Sequence, residues 1–447
     1  MRISKYPISR NTRTLLPHQK SVLRYMMSTK TPALFIDMRL GKTILTIEYA
    51  IRKGLKNVLV VAPLSTLNSW ERELTVEGID SYKVPTERTV EVYQKIRRCP
   101  WVLINPQKLA PNKRCSSWGF HERQWDMIVI DESSRIKNAR SGYFKELMKY
   151  YSKIPHRVLL SGTPTPEDIL EAVPQLLFLH GDVMGCKSYW EFLAKYTMKI
   201  GYDRRIYKSA REKLLGLLHD KCYFLSQKEA GIQQPTCYIK LVHKKSEQQI
   251  QLLRQLREEF ELDLNGKHYE TVHVLPTLTW ACRIVGGIMD GTVLNDSKYR
   301  SLKKIIQETE GQVVVWYRFN EELQYCYKRL AEDGVRVRAY YGDVSVSDRK
   351  ILEDDFKQGK YDVLLLQVKT GLYALDLSRA DTAVYYSNTW SLEERLQSEK
   401  RISHPSKKSK LKYIDLVTKG WPDTNIYTAL RKKNISAKMI WEDWKYE

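Results

Sequence analysis

The chain has 447 residues, of which 43% are hydrophobic and 28% charged, enough apolar material for packed cores and too much to be generally disordered. Its 74 Lys and Arg outnumber 52 Asp and Glu, a formal net charge of +22. A surface so positive attracts polyanions: nucleic acid is the first candidate, an acidic membrane surface the second, and a merely soluble basic protein the plain alternative.

In chain order, short apolar runs alternate with helical stretches. The first half carries ALFI (Ala33–Ile36), VLVVA (Val58–Ala62), WVLI (Trp101–Ile104), MIVI (Met127–Ile130) and RVLLS (Arg157–Ser161). The second carries VVVW (Val313–Trp316), VRVRAY (Val335–Tyr340), DVLLL (Asp362–Leu366), AVYYS (Ala383–Ser387) and KYIDL (Lys412–Leu416). Continuously apolar strands suit a sheet covered on both faces, and their alternation with helices implies parallel βαβ units. The expected fold is α/β, with two tandem parallel-sheet lobes. Residues 1–188 form the first lobe, 189–295 a helical connector with the start of the second, and 296–447 the rest of the second. Within the connector, Ser246 and Gln249 have capping-box spacing, ahead of an apolar stripe of Ile250, Leu253, Leu256 and Phe260. The basic run KKSKLK (Lys407–Lys412) reads as a solvated turn. The seven cysteines (Cys99, Cys115, Cys186, Cys222, Cys237, Cys282, Cys326) and the nine histidines are dispersed, without zinc-type pairs. The basic N-terminal stretch lacks an apolar core, and no apolar run reaches the ~20 residues that span a membrane. These features predict a soluble, cytoplasmic protein.

The chemistry concentrates where strands end. DMRLGKT (Asp37–Thr43) lies between the ALFI strand and a helical pattern, the context of a phosphate-binding loop for ATP. Gly41 would let the backbone approach a phosphate, Lys42 would reach the β- and γ-phosphates, and Thr43 would give a hydroxyl to Mg²⁺. Leu40 and Ile44 flank them as nucleotide contacts. Arg39 stands where a glycine is common; a positive φ there would cost on the order of 1 kcal/mol, while its charge could also face the nucleotide. The strand Met127–Ile130 runs into Asp131-Glu132. Asp131 would hold Mg²⁺ and Glu132 would orient and deprotonate the attacking water; the bland reading of the pair is an acidic helix start. RVLLSGTPTPED (Arg157–Asp168) ends in Ser161, Gly162 and Thr163, small polar residues able to couple the site to its surroundings, or simply to make a turn.

Taken in order, these motifs resemble the superfamily-two helicase-like ATPases, specifically the Swi/Snf-type group, from about Leu15 to about Leu416. LLPHQ (Leu15–Gln19) resembles the adenine-reading motif, with Gln19 as reader, and DMRLGKT the phosphate motif, with Arg39 replacing a glycine. VLVVAPLSTLNSWERE (Val58–Glu73), with Pro63 and Trp70, resembles a DNA-contacting motif. IDESSRIKN resembles the acidic motif, with Ser133-Ser134 in place of Ala-His, and LLSGTP the coupling motif. Further on, VVVWYRFN (Val313–Asn320) and the spaced Gly342, Arg349 and Phe356 fit the second lobe. QVKTGLYALDLSRAD (Gln367–Asp381) fits the next motif, with Leu372 and Ala374 for glycines and Asp376 for an asparagine. In NTWSLEERLQSEKRISH (Asn388–His404), Gln397 and Arg401 match the last motif, but His404 replaces its second arginine. The short length resembles the stripped-down phage and prophage forms.

The resemblance implies two RecA-like lobes with ATP and Mg²⁺ in the cleft between them, Arg401 touching ATP from the second lobe beside Asp376, and Gln397 in coupling. It implies nucleic-acid contacts at Pro63, Leu64, Ser65, Gln107, Lys108, Arg318, Lys369, Thr370, Gly371 and Trp390. The expected activity is ATP-driven translocation on double-stranded DNA. A strand-separating helicase on DNA or RNA, and a nucleic-acid-binding protein whose ATPase is weakened at Arg39 and His404, are the competing readings.

Overall fold

The structure, a computed structural model, describes residues 14–87, 89–109, 119–162, 164–165, 168–200, 203–232, 234–259, 261–264, 267–270, 274–342, 346–371, 375–404 and 407–442. It divides into two compact units, 1–233 and 234–447.

Unit one is built on a sheet of seven strands: β1 (Ala33–Ile36), β2 (Val58–Val61), β3 (Ser81–Lys83), β4 (Trp101–Ile104), β5 (Met127–Asp131) and β6 (His156–Ser161), followed, after a small hairpin of β7 (Thr197–Ile200) and β8 (Asp203–Ile206), by β9 (Cys222–Leu225). Their order across the sheet is β3-β4-β2-β5-β6-β1-β9, and every pairing is parallel. Alternate residues of one strand serve opposite cores. Ala33 and Phe35 of β1 face one, with Ile128, Ile130 and Leu159; Leu34 and Ile36 face the other, with Val60, Val129 and Leu160. This two-sided burial is why the strands read as unbroken apolar runs. Each such side chain contributes roughly 1.5–3 kcal/mol when taken from water.

The helices α1 (Pro17–Ser28), α2 (Lys42–Lys53) and α3 (Leu64–Val76) cover one face. α2 starts after Gly41 and stops at Gly54, which at φ +68° donates its N–H to Ala50 and Ile51 carbonyls, a left-handed cap that suits glycine.

Unit two carries a six-stranded sheet of β10 (Thr236–His243), β15 (Val313–Tyr317), β16 (Val337–Tyr340), β17 (Val363–Gln367), β18 (Thr382–Tyr385) and β19 (Leu411–Thr418). The order is β10-β19-β18-β15-β17-β16, again all parallel, with a core on each face. Between β10 and β15 lie the two-stranded pairs β11 (Glu261–Leu264) with β12 (Lys267–Glu270) and β13 (Ile288–Met289) with β14 (Thr292–Val293). The fold is α/β, with two RecA-like parallel-sheet lobes.

All ten apolar runs read from the sequence are strands. The stretch 189–295, read as a helical connector with the start of the second lobe, is divided between the units at 233/234. Its Tyr189–Tyr196 helix packs Phe192 and Leu193 into unit one, β9 completes the first sheet, and β10 edges the second. β10 escaped notice because it is an edge strand, largely solvated along its length. The Ser246–Gln249 capping box is present, but the buried face of its helix is Gln249, Leu252 and Leu256, and Ile250 points outward. Phe260 lies outside the described residues.

Candidate nucleotide and nucleic-acid sites

Strand order decides which loops meet. β5, β6 and β1 are neighbours, with Asp131 in register with Leu160 and Phe35 with Ser161. The phosphate loop after β1, the acidic pair at the end of β5 and the coupling segment after β6 therefore emerge side by side at the carboxyl edge, where parallel sheets bind ligands.

The loop 37–41 is held from several sides. Asp37 donates its N–H to the Leu225 carbonyl (2.9 Å) and accepts the Gln227 N–H at Oδ2 (2.9 Å); the Gln227 amide donates to the Met38 carbonyl (3.3 Å). Gln227 lies in SQKEAGIQQP, a segment that resembles the family's connector, and nothing in the sequence marks it as a partner of this loop. Arg39 takes φ +64°, so position 39 does need the left-handed region, at a cost of about 1 kcal/mol for a non-glycine residue. Gly41, at φ +93°, is required twice over: a Cβ there would also stand 2.4 Å from Nε2 of Gln19. Gln19 donates to the Leu40 carbonyl (3.4 Å) and accepts the Leu16 N–H (3.0 Å), which sets it against the loop. Leu40 is buried; Thr43 and Ile44, in the first turn of α2, are half-buried. Lys42 Nζ donates to the carbonyls of Ile36 (2.8 Å) and Asp37 (3.2 Å), within the loop.

Asp131 is buried. Burial pushes its carboxyl above the ordinary carboxylate value, opposed by the Trp70 indole, which donates to Oδ2 (3.0 Å), and by the charge of Lys42. Trp70, fully buried, is thus a support for Asp131 and not an exposed nucleic-acid contact. Glu132 sits at φ +54° and opens the short helix Ser133–Ile136. Ser161 is buried, and Gly162 lies against the start of the phosphate loop, its ideal Cβ 3.7 Å from Met38 Cγ. Thr163 lies outside the described residues. The donor set fits a magnesium nucleotide: backbone N–H groups at the start of a 12-residue helix, one ammonium, one hydroxyl and a carboxylate within that ammonium's field.

Of the other unit-one candidates, Pro63 is buried and Leu64 is 59% exposed at the start of α3, which also contains Ser65. Gln107 is exposed, whereas Lys108 turns its ammonium onto the Val84 and Pro85 carbonyls.

In unit two, β18, β15 and β17 are neighbours, so the segments following them also gather at one edge. Arg318 stacks over Phe319 (5.0 Å) and donates to Cys282 Sγ (3.1 Å). Lys369 is exposed, Thr370 is buried and donates to Gln367 (3.0 Å), and Gly371 ends the same short helix. Trp390 is half-buried against the cluster of Cys282, Leu392, Ile426 and Leu430. The helix Leu392–Ile402 is anchored by Arg395, a residue with no signal in the sequence. Arg395 is buried against Asp415, Glu399 (2.7 Å) and Asn388 (2.8 Å). This helix carries Gln397, bonded to Glu393 (3.2 Å), and Arg401, whose carbonyl accepts the Leu377 N–H (3.1 Å), next to Asp376. His404 is exposed.

Behind Arg318, Ser387 Oγ accepts the Arg318 N–H (2.9 Å) and donates to the buried Glu322. Burial pushes the Glu322 carboxyl up to about 7, against the opposing charge of Lys298. The folded protein therefore holds a proton that the unfolded chain releases. That contribution to stability is complete below the ordinary value of 4.5 and is lost as pH rises through about 7. Glu322→Gln is expected to leave the melting temperature nearly unchanged at about pH 4 and to stabilise the protein at about pH 8, by on the order of 3 kcal/mol. Thermal melts at both values check this, and an equal or lower midpoint at the higher pH contradicts it.

Among the described residues no helix is long and apolar enough to cross a membrane. The family model described as "SNF2-related domain" matches residues 18–276, and that described as "Helicase conserved C-terminal domain" matches 297–404. The chain is 24% identical to "Chromodomain-helicase-DNA-binding protein 3 homolog" of Caenorhabditis elegans, over 94% of this chain and 26% of that protein. It is 25% identical to "ISWI chromatin-remodeling complex ATPase ISW1" of Saccharomyces cerevisiae, over 90% of this chain and 38% of that protein. It thus spans well under half the length of these two relatives. A solved structure, the "Sulfolobus solfataricus SWI2/SNF2 ATPase core in complex with dsDNA", is similar at 20% identity and a TM-score of 0.45, covering 98% of this chain and 95% of that one.

Proposed function

The chain belongs to the SNF2-related family of helicase-like ATPases, and from that premise we propose that it is a motor that hydrolyses ATP to move along double-stranded DNA without separating its strands. The observation that carries this reading is the convergence of Lys42, Asp131-Glu132 and Ser161-Gly162 at the ends of three adjacent strands, β1, β5 and β6. Lys42 and the first turn of α2 bind the phosphates, and Gln19 meets the base. Mg²⁺ would be held by Thr43 and Asp131 and supplies charge neutralisation on the phosphate oxygens when bound. Glu132 takes a proton from the attacking water, and the resemblance assigns Arg401 to the charge that develops.

Nucleic acid is the polyanion that a net charge of +22 in this family best suits. The backbone-tracking contacts are assigned to Pro63, Leu64, Ser65 and Gln107 in unit one, and to Arg318, Lys369, Thr370, Gly371 and Trp390 in unit two. Lys108 needs to leave its carbonyl partners to join them. Such contacts follow phosphates and carry little base information.

Duplex DNA is expected to stimulate hydrolysis more than single-stranded DNA or RNA. Affinity should fall steeply with salt, each neutralised phosphate adding roughly 0.9 to the log–log slope. Triplex displacement should succeed where forked-duplex unwinding fails. Stimulation by RNA alone, or efficient opening of a long fork, would replace the translocase by the strand-separating helicase. An ATPase that no nucleic acid stimulates would refute the motor.

A further inference from the structure

Gln175 lies in the helix Ala172–His180 and has no solvent exposure. Its side-chain carbonyl accepts the Ser133 hydroxyl (2.7 Å), and its amide donates to the carbonyls of Pro164 (2.7 Å) and Glu171 (3.0 Å). The orientation of the amide follows from its partners, since two backbone carbonyls only accept. One end of a single rigid group therefore holds the residue after Glu132, and the other holds the segment after Ser161-Gly162. The Swi/Snf-type pattern that this chain resembles has Ala at position 133, which offers no hydroxyl, and Gln175 lies outside the motifs.

Glu132 sits at φ +54°, a backbone state that a non-glycine residue keeps only when its neighbours impose it. Ser133, tied to Gln175, is one such neighbour, and Arg135 N–H bonded to the Glu132 carbonyl (3.1 Å) is another. One side chain thus ties the Pro164 carbonyl of the coupling segment to the Ser133 hydroxyl.

We propose that Gln175 is a positioning residue that transmits movement between the coupling segment and the general base, so that engagement of nucleic acid sets the aim of Glu132. This rests on the ATPase reading above. A glutamine suits the task because it both accepts and donates; leucine of similar volume does neither. The alternative is that Gln175 only satisfies buried polar groups and contributes to folding alone.

The test compares wild type, Ser133→Ala, Gln175→Leu and the double variant in steady-state ATPase with and without duplex DNA, alongside melting temperatures. Ser133→Ala restores the residue of the family pattern and guards against a Gln175→Leu protein that does not fold. Each single variant should lose roughly tenfold in the DNA-stimulated kcat, the scale typical of partners that orient a catalytic group. The KM for ATP should stay within about twofold, and the double variant should fall no further than Gln175→Leu. A melting-point loss with stimulated kcat per folded molecule unchanged overturns the relay, as does a double variant equal to the product of the singles. Amide hydrogen exchange judges the relay without DNA. A non-hydrolysable ATP analogue should protect residues 164–175 in wild type and not in Ser133→Ala; equal protection in both overturns it. Wild type that hydrolyses ATP without responding to DNA refutes the motor reading, and leaves the exchange experiment to decide the relay.

Discussion

Glu132→Gln is expected to bind ATP as wild type does and to hydrolyse it slower by on the order of 10²–10⁴, the range that a positioned general base contributes. The substitution keeps the side chain's size and leaves Asp131, Thr43 and Lys42 untouched. The left-handed backbone at Glu132 accepts glutamine on the same terms as glutamate, and the bond from Ser133 to Gln175 remains. Lys42→Ala should fail differently. It removes the ammonium that lies in the loop and its field on Asp131, so nucleotide binding should weaken by roughly 1.5–3 kcal/mol, the scale of a hydrogen bond to a charged group, together with turnover. Binding of a fluorescent ATP analogue and single-turnover hydrolysis separate the two outcomes. A Glu132→Gln protein with the normal rate refutes the assignment of the base.

Arg401→Ala should lower hydrolysis by on the order of 10³ or more while leaving ATP binding close to wild type, because a guanidinium at the γ-phosphate acts mainly on the transition state. The residues assigned to phosphate binding all belong to unit one. A unit-two residue whose loss spares binding and stops turnover is therefore acting on the reaction itself. His404→Ala should cost about tenfold or less, since an exposed imidazole is a poor stand-in for a fixed charge. Lys407 is a weak substitute for the missing second arginine. Its ammonium is paired with Asp381 (2.6 Å) and also donates to the Ile402 carbonyl (3.3 Å). Steady-state rates of Arg401→Ala, His404→Ala and Lys407→Ala between about pH 6 and 8 decide the matter. A severe loss in His404→Ala beside a mild one in Arg401→Ala reverses the assignment.

The sequence by itself determined the parts that depend on period and local chemistry. A strand buried on both faces must be apolar at every position, so β1, β5, β15 and β17 were legible as unbroken runs. A helix that opens at Gly41-Lys42-Thr43 after such a run marks a phosphate loop wherever it is packed. Period shows which face of an element is buried but not which element lies beside it. The order β5-β6-β1, which brings three motif loops to one edge, was set by packing alone. So was the division of 189–295 between the units, because an edge strand such as β10 needs little apolar surface to hold its place. The supports of the site were equally invisible. Trp70 reaches Asp131 across 61 positions, Gln175 reaches Ser133 across 42, and Gln227 reaches Asp37 across 190. A polar side chain can be satisfied by any donor or acceptor that the fold places about 3 Å away, so its identity carries no address. Only the tertiary structure supplies one.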